Sequence, residues 1–188
     1  LAGSARQVVR LKSGDPLIFG RAGEEIEALR RAGTEYEIVP GVTSVLGAAA
    51  AAGIPLTHRQ ASSTLVLTTG NRARGNENED WNKFAASQAT LVVYMPGQNY
   101  GETAAKLSAA GFAGETPCAI ISRATTSEQR IYRTTVADLP KSPRLASPTL
   151  LVVGEVVRFA DQNLVEPELA ESMFSPAESS HQNEEPLA

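Results

Sequence analysis

The stretch VVRLKSGDPLIFGRAGEE, residues 8–25, decides how this chain is read. Residues 8–11 are a short apolar run and read as a strand. Lys12-Ser-Gly-Asp-Pro16 breaks that run, because Gly and Pro together force a turn. A helix is predicted over residues 22–32. Glu24, Glu25 and Glu27 lie in its first half and Arg30 and Arg31 in its last turn, which suits the helix dipole. Ile26 and Leu29 give it an apolar stripe, and Gly33 is a good stop. Strand, Gly-containing turn and helix in this order form a ligand-binding unit of open α/β sheets, where ligands sit at the carboxyl ends of strands.

The same pattern extends outward. Residues 36–39 read as a second strand ended by Pro40-Gly41. Thr43 or Ser44 can cap the alanine-rich helix that follows, and Gly53 stops it. A new unit starts near Ser62. Strands are predicted over residues 64–68, 90–95, 117–121, 129–135 and 148–157, with a polar loop over residues 70–80. A helix is predicted over residues 99–110, stopped by Gly111. The alternation predicts an α/β protein with a largely parallel sheet. The return stretch 131–136, close behind 117–121, could add an antiparallel pair. Two α/β lobes are expected: residues 1–58, an incomplete sheet, and residues 61–160, a five-stranded mixed sheet. Residues 161–188 are acidic and polar and read as a mobile tail.

Composition narrows the function classes. The chain has 188 residues, 42% of them hydrophobic and 20% charged. No run approaches the ~20 consecutive apolar residues of a membrane helix, and the opening residues do not read as a signal peptide. One cysteine, Cys118, excludes an internal disulfide framework and a cysteine-based zinc cluster. Two histidines, His58 and His181, exclude a multi-histidine metal site. The net charge is −4, yet no basic residue follows Arg158. The first 160 residues are therefore net positive. Arg outnumbers Lys by 13 to 4, and the planar Arg fork suits carboxylates and phosphates. A coding bias toward Arg explains the same count.

The usual nucleotide signatures are absent: no G-x-G-x-x-G, no G-x-x-x-x-G-K-[ST], no G-x-S-x-G and no H-E-x-x-H. Three turns remain, each directly after a strand: Ser13-Gly14-Asp15-Pro16, Pro40-Gly41-Val42-Thr43-Ser44 and Met95-Pro96-Gly97. Singly, each has a plain structural reading. Thr43 and Ser44 read first as helix caps and Met95 as a core gap-filler. His58 reads first as a hydrogen-bonded structural histidine. Cys118 reads as buried and inert.

Together these segments are far more specific. The 8–25 stretch closely resembles the most characteristic segment of the uroporphyrinogen-III C-methyltransferases, members of the tetrapyrrole methylase family. VPGVTS (39–44), AGIPLTHR (52–59), VYM (93–95) and SPTLLVVGEVV (147–157) follow in that family's order. The resemblance covers about residues 1–160.

The resemblance implies a two-lobed α/β architecture with S-adenosylmethionine in the cleft between the lobes. It implies methyl transfer to carbons 2 and 7 of uroporphyrinogen III, giving precorrin-2 for siroheme and cobalamin. S-adenosylhomocysteine is the second product. It further implies a cytoplasmic homodimer acting on a small tetrapyrrole, with no nucleic acid or membrane as partner. A related precorrin methylase and a non-catalytic tetrapyrrole- or nucleotide-binding remnant are the alternatives. Ser13, Gly14 and Asp15 fall on the family's cofactor-contacting turn, and Ile18 on a nearby apolar contact. Thr43 and Ser44 fall on the pair after the Pro-Gly turn, and Met95 on the methionine ending a strand. Ala124 falls where the family often has glycine.

Physical chemistry adds expectations at those positions. Asp15 could offer its carboxylate to a cationic group or a hydroxyl. The helix start at Thr43-Ser44 could receive the cofactor's carboxylate. Gly14 and Ala124 would let backbone approach closely. Lys12, Arg21, Arg59, Arg72 and Arg74 are candidates for the substrate's carboxylates. Ser13 replaces a family glycine, so a positive φ there would be strained. The family carries about 70 to 80 residues before this point, with a further Gly-rich turn and the positions proposed as acid and base. The opening on Leu1 reads as a fragment, so no catalytic acid or base is assigned here. The isolated chain is expected to bind the cofactor weakly and to turn over negligibly.

Overall fold

The computed structural model describes residues 7–70 and 81–160. The expected loop beyond Gly70 and the expected tail lie outside the described residues. The elements run α1 (Ala22–Arg31), α2 (Ser44–Ala52), β1 (Leu65–Thr69), α3 (Asn82–Ala86), β2 (Thr90–Tyr94), α4 (Tyr100–Ala109), β3 (Pro117–Ser122), β4 (Arg130–Thr135) and β5 (Thr149–Val153). Short 3-10 helices occupy Leu139–Lys141 and Glu155–Phe159. Among the described residues no helix is long and apolar enough to cross a membrane.

The five strands form one sheet in the order β1-β2-β5-β3-β4. Only β1 and β2 pair in parallel; β2–β5, β5–β3 and β3–β4 are antiparallel. The expectation of a largely parallel sheet is thus corrected, while the antiparallel return of β4 onto β3 is as expected. Because β5 is inserted between β2 and β3, the strands β1, β2 and β3 still point the same way. Their carboxyl ends share one edge of the sheet.

Both faces of the sheet are covered, which is why its central strands are continuous apolar runs rather than alternating ones. Val92, Tyr94, Ala119, Ile121, Leu150 and Val152 face one core, where Val45, Ala48, Ala49 and Ala52 of α2 pack. Leu91, Val93, Cys118, Ile120, Leu151 and Val153 face the other, where Tyr100, Ala104 and Leu107 of α4 pack. The small side chains of α2 let its axis ride close to the sheet. Asn99 caps α4, accepting from the Glu102 amide.

Residues 7–58 depart most from expectation. The runs 8–11 and 36–39 are not strands. A strand exists through its hydrogen-bond ladder, and neither run has one among the described residues. Their side chains are correspondingly open: Val9 is 73% and Val39 74% exposed. The helices here match expectation to within a residue, with Gly33 and Gly53 at their stops. Helices satisfy their own backbone and need no partner strand.

Candidate functional site

Asp15 is the hinge pin of the first turn. Its Oδ1 accepts from the Leu17 amide at 2.8 Å, and its Oδ2 accepts from the Gly41 amide at 3.1 Å. The carboxylate therefore ties the first turn to the second. Each oxygen holds one backbone amide, and since a carboxylate has about four lone-pair sites each keeps one for a ligand donor. The second turn comes so close that a Cβ on Gly41 would lie 2.5 Å from the Gly14 carbonyl oxygen. A Cβ on Gly14 would in turn lie 3.3 Å from the Val42 carbonyl oxygen and 3.7 Å from the Ser44 nitrogen.

Gly14 carries the left-handed conformation of the first turn, at φ 78°. Ser13 does not adopt a positive φ, so the strain expected from its Cβ does not arise. Ile18 stands at the outer side of this turn, 37% exposed.

Thr43 is the N-cap residue of α2, but its hydroxyl makes no capping bond. It lies 2.7 Å from the Tyr94 hydroxyl instead, with either able to donate. The Val45 amide donates to the same Tyr94 oxygen over 3.4 Å. A tyrosine 51 residues away thus takes the place of the local cap. Ser44 is exposed beside Gly14.

Met95 follows Tyr94 and turns to φ 48°, a left-handed value rare for a side chain of its size. A Cβ on Gly70 would lie 2.5 Å from the Met95 carbonyl oxygen. The Gly70 amide donates to the Tyr94 carbonyl at 2.7 Å. Met95 is 46% exposed, not the core gap-filler of the simplest reading. Its side chain is held out at the edge where β1, β2 and β3 end.

Ala124 lies at the same edge, in the loop after β3. Arg123 and Thr125 on either side are left-handed, at φ 45° and 65°. Gln129 fixes this loop, accepting from the Thr125 amide at 2.7 Å and donating to the Ala51 carbonyl at 3.5 Å. Thr125 reaches α2 as well, since a Cβ on Gly47 would lie 3.7 Å from its methyl group. Of the six left-handed residues other than glycine among those described, five flank these turns: Phe19, Arg21, Met95, Arg123 and Thr125. Strained backbone of this kind concentrates where geometry is over-determined for function.

Ser13 also lines a cavity of about 560 Å³ shared with Arg10, Lys12, Phe19, Arg21 and Glu24. Lys12 is spoken for: its ammonium donates to Glu25 Oε1 at 2.7 Å and to the Gly20 carbonyl at 3.0 Å. That hydrogen bond holds the Glu25 carboxyl below the usual carboxylate range. Arg21 pairs with Glu24 at 3.2 Å, and both side chains are mostly in solvent. Arg72 and Arg74 lie outside the described residues. Arg59 is exposed, and the preceding His58 stacks on Phe159 with ring centroids 4.0 Å apart. Cys118 is fully buried, and burial pushes its thiol up to about 12. No group of His, Cys, Asp or Glu among the described residues could hold a metal ion.

The donor set suits a ligand that is part ionic and part apolar. Glycine backbones leave a cradle that a Cβ would fill, a helix start opens beside it, and Ile18 and Met95 offer apolar contacts. Sequence reasoning brought all eight of these positions forward. It did not single out Tyr94, whose role depends on contacts distant in sequence.

The family model for tetrapyrrole (corrin/porphyrin) methylases matches residues 1–140. The chain is 45% identical over 161 residues to a siroheme synthase of Tolumonas auensis, covering 85% of this chain and 34% of that protein. It is 44% identical over 165 residues to a siroheme synthase of Azotobacter vinelandii, with 86% and 36% covered. The chain thus spans about a third of the length of these curated relatives. Among solved structures, the uroporphyrin-III C-methyltransferase of Thermus thermophilus complexed with S-adenosylhomocysteine superposes with a TM-score of 0.73 at 37% identity, covering 84% of this chain and 69% of that one. A cobalt precorrin-4 methyltransferase superposes at 0.72 with 32% identity, covering 80% and 65%.

Proposed function

The chain belongs to the tetrapyrrole (corrin/porphyrin) methylase family, and from that premise we propose that it serves S-adenosylmethionine-dependent C-methylation of uroporphyrinogen III. The product would be precorrin-2, methylated at carbons 2 and 7, on the way to siroheme and cobalamin. One observation carries the reading. The three turns named from sequence meet at one sheet edge, through Asp15–Gly41 and Thr43–Tyr94, in a chain 37% identical to an enzyme whose structure holds S-adenosylhomocysteine.

In this reading residues 1–58 and 61–160 are two lobes, and the cofactor lies between them against Ser13, Gly14, Ile18, Thr43, Ser44, Met95 and Ala124. Asp15 ties the two turns through Gly41 and offers its remaining lone pairs to a cationic group or hydroxyl of the cofactor. The start of α2 at Thr43-Ser44 receives the cofactor's carboxylate, as helix starts do for anions. Ile18 and Met95 cover its apolar parts. When bound, the cofactor supplies a sulfonium methyl group that a nucleophilic pyrrole carbon attacks, leaving S-adenosylhomocysteine. Holding the two reactants in line supplies much of the acceleration in such a transfer. Arg10 and Arg21 stand over the neighbouring cavity and meet the carboxylates of the substrate. Lys12 orders that wall from within. The whole protein works as a cytoplasmic homodimer, with no part for nucleic acid.

Two measurements test this. Calorimetric titration of the 188-residue chain with S-adenosylhomocysteine is expected to show saturable one-to-one binding in the high-micromolar range. Absence of binding would overturn the site. The chain extended at its amino end to the length of its methyltransferase relatives is expected to yield a product two methyl groups heavier than uroporphyrinogen III. Turnover of a later corrin intermediate, with none of uroporphyrinogen III, would favour the related precorrin methylases, to which the likeness is nearly as close.

A further inference from the structure

Tyr94 is the last residue of β2 and only 6% exposed. Three of its parts touch three different segments. Its hydroxyl meets Thr43 Oγ1 at 2.7 Å and receives the Val45 amide at 3.4 Å. Its ring packs against Phe19, with centroids 4.8 Å apart and planes tilted by 53°. Its carbonyl accepts from the Gly70 amide at 2.7 Å. The next residue is Met95, already in a left-handed conformation. One side chain and its own backbone therefore reach the first turn, the second turn, the end of β1 and the methionine.

From this we infer that Tyr94 is a positioning residue that sets the spacing of the cofactor-binding turns, and that its hydroxyl, not its ring alone, does so. The inference rests on the proposed cofactor site and deepens it. The chemistry requires a phenol. Val45 N–H is one of the four amides that a helix start leaves without an intrahelical partner. It is buried, so it needs an acceptor. A phenylalanine would fill the same volume and leave both that amide and the Thr43 hydroxyl unpaired. Thr43 would then be free to fold back as an ordinary cap, since threonine prefers that role. The start of α2 would shift relative to Gly14, where an added Cβ would lie 3.6 Å from Thr43 Cα and 3.7 Å from the Ser44 nitrogen. Phe19 completes the argument, because its left-handed backbone at φ 53° places its ring on Tyr94.

The test is S-adenosylhomocysteine titration of the 188-residue chain and four variants, at a temperature well below every melting midpoint. Tyr94→Phe is expected to weaken binding about three- to tenfold, the size of one net hydrogen bond. Thr43→Val removes the same bond from the other side and is expected to weaken binding by a similar factor. The double variant should lose less than the sum of the two single losses, because the Thr43–Tyr94 bond is counted in both. Val136→Ala, a cavity on the far face of the sheet, lowers stability without touching the turns and should leave affinity unchanged. In Tyr94→Phe the Val45 amide should also exchange faster with deuterium than its helix neighbours. Should Tyr94→Phe melt too low to titrate, the affinity of Thr43→Val set against that of Val136→Ala carries the comparison. Unchanged affinity in Tyr94→Phe, additive losses in the double variant, or an equal loss in Val136→Ala would each overturn the inference. Absence of binding by the unmodified chain would overturn the cofactor site itself, and the inference with it.

Discussion

Asp15 and Gly41 are 26 residues apart, and the Gly41 amide donates to Asp15 Oδ2 at 3.1 Å. The other carboxylate oxygen holds Leu17. A two-oxygen acceptor is needed because two N–H donors converge on it. Asp15→Asn offers one oxygen and turns an NH2 group toward the second donor. Both bonds are exposed to solvent, so the loss is expected to be about 0.5–1.5 kcal/mol, the net worth of one hydrogen bond. Urea denaturation reads the loss, and equal midpoints for the two proteins would refute the brace.

Gly41 faces the Gly14 carbonyl and Gly70 the Met95 carbonyl, each with room for no Cβ. In both cases the obstacle is backbone, which cannot swing away as a side chain can. Gly41→Ala and Gly70→Ala are each expected to destabilise by about 1–3 kcal/mol and to weaken cofactor binding as well. Gly23→Ala, with open space at its Cβ, should be neutral or slightly stabilising. Thermal melts of the three variants check the contrast.

The Lys12–Glu25 pair makes a pH prediction. The Glu25 carboxyl is held low by the Lys12 hydrogen bond. A depressed carboxylate contributes stability that is present above its unfolded value, about 4.3, and is lost as pH falls through the lower folded value. Lys12→Met should therefore be less stable than the unmodified chain at neutral pH. That difference should shrink as the pH drops below about 4. A constant difference down to the acid transition would show that Lys12 acts through packing alone.

Cys118 is fully buried and its thiol is pushed up to about 12. Since the thiolate is the reactive form, a thiol reagent near pH 8 should label the folded chain negligibly. Labelling should be complete once the chain is unfolded. Prompt reaction of the native protein would mean that β3 opens readily.

The sheet was legible where local composition dictates structure. β2, β3 and β5 are unbroken apolar runs, and each is a strand. Their directions were not legible, because an apolar run carries no sign of orientation. The predicted strand over 148–157 ends at Val153 because Gly154 turns to φ 136° and the chain enters a 3-10 helix. α3 has five residues, too few to show a period. The runs 8–11 and 36–39 have strand composition and no ladder, which shows that composition alone does not make a strand. The site followed the same division. Gly and Pro mark the turns, so Gly14, Asp15 and Met95 could be picked out. Tyr94 looked like any strand tyrosine, because its value comes from Thr43, Val45 and Phe19.

The reversed direction of β5 has an engineering consequence. Val153 lies beside Leu91 and Cys118, at the amino ends of the strands whose carboxyl ends carry the turns. Beyond it, Phe159 stacks on His58, which bridges to Ser62 at the same rear edge. Cargo attached after Ala160 would therefore leave from the back of the molecule. An affinity handle, surface tether or reporter domain joined there would keep the thickness of the sheet between itself and the turns.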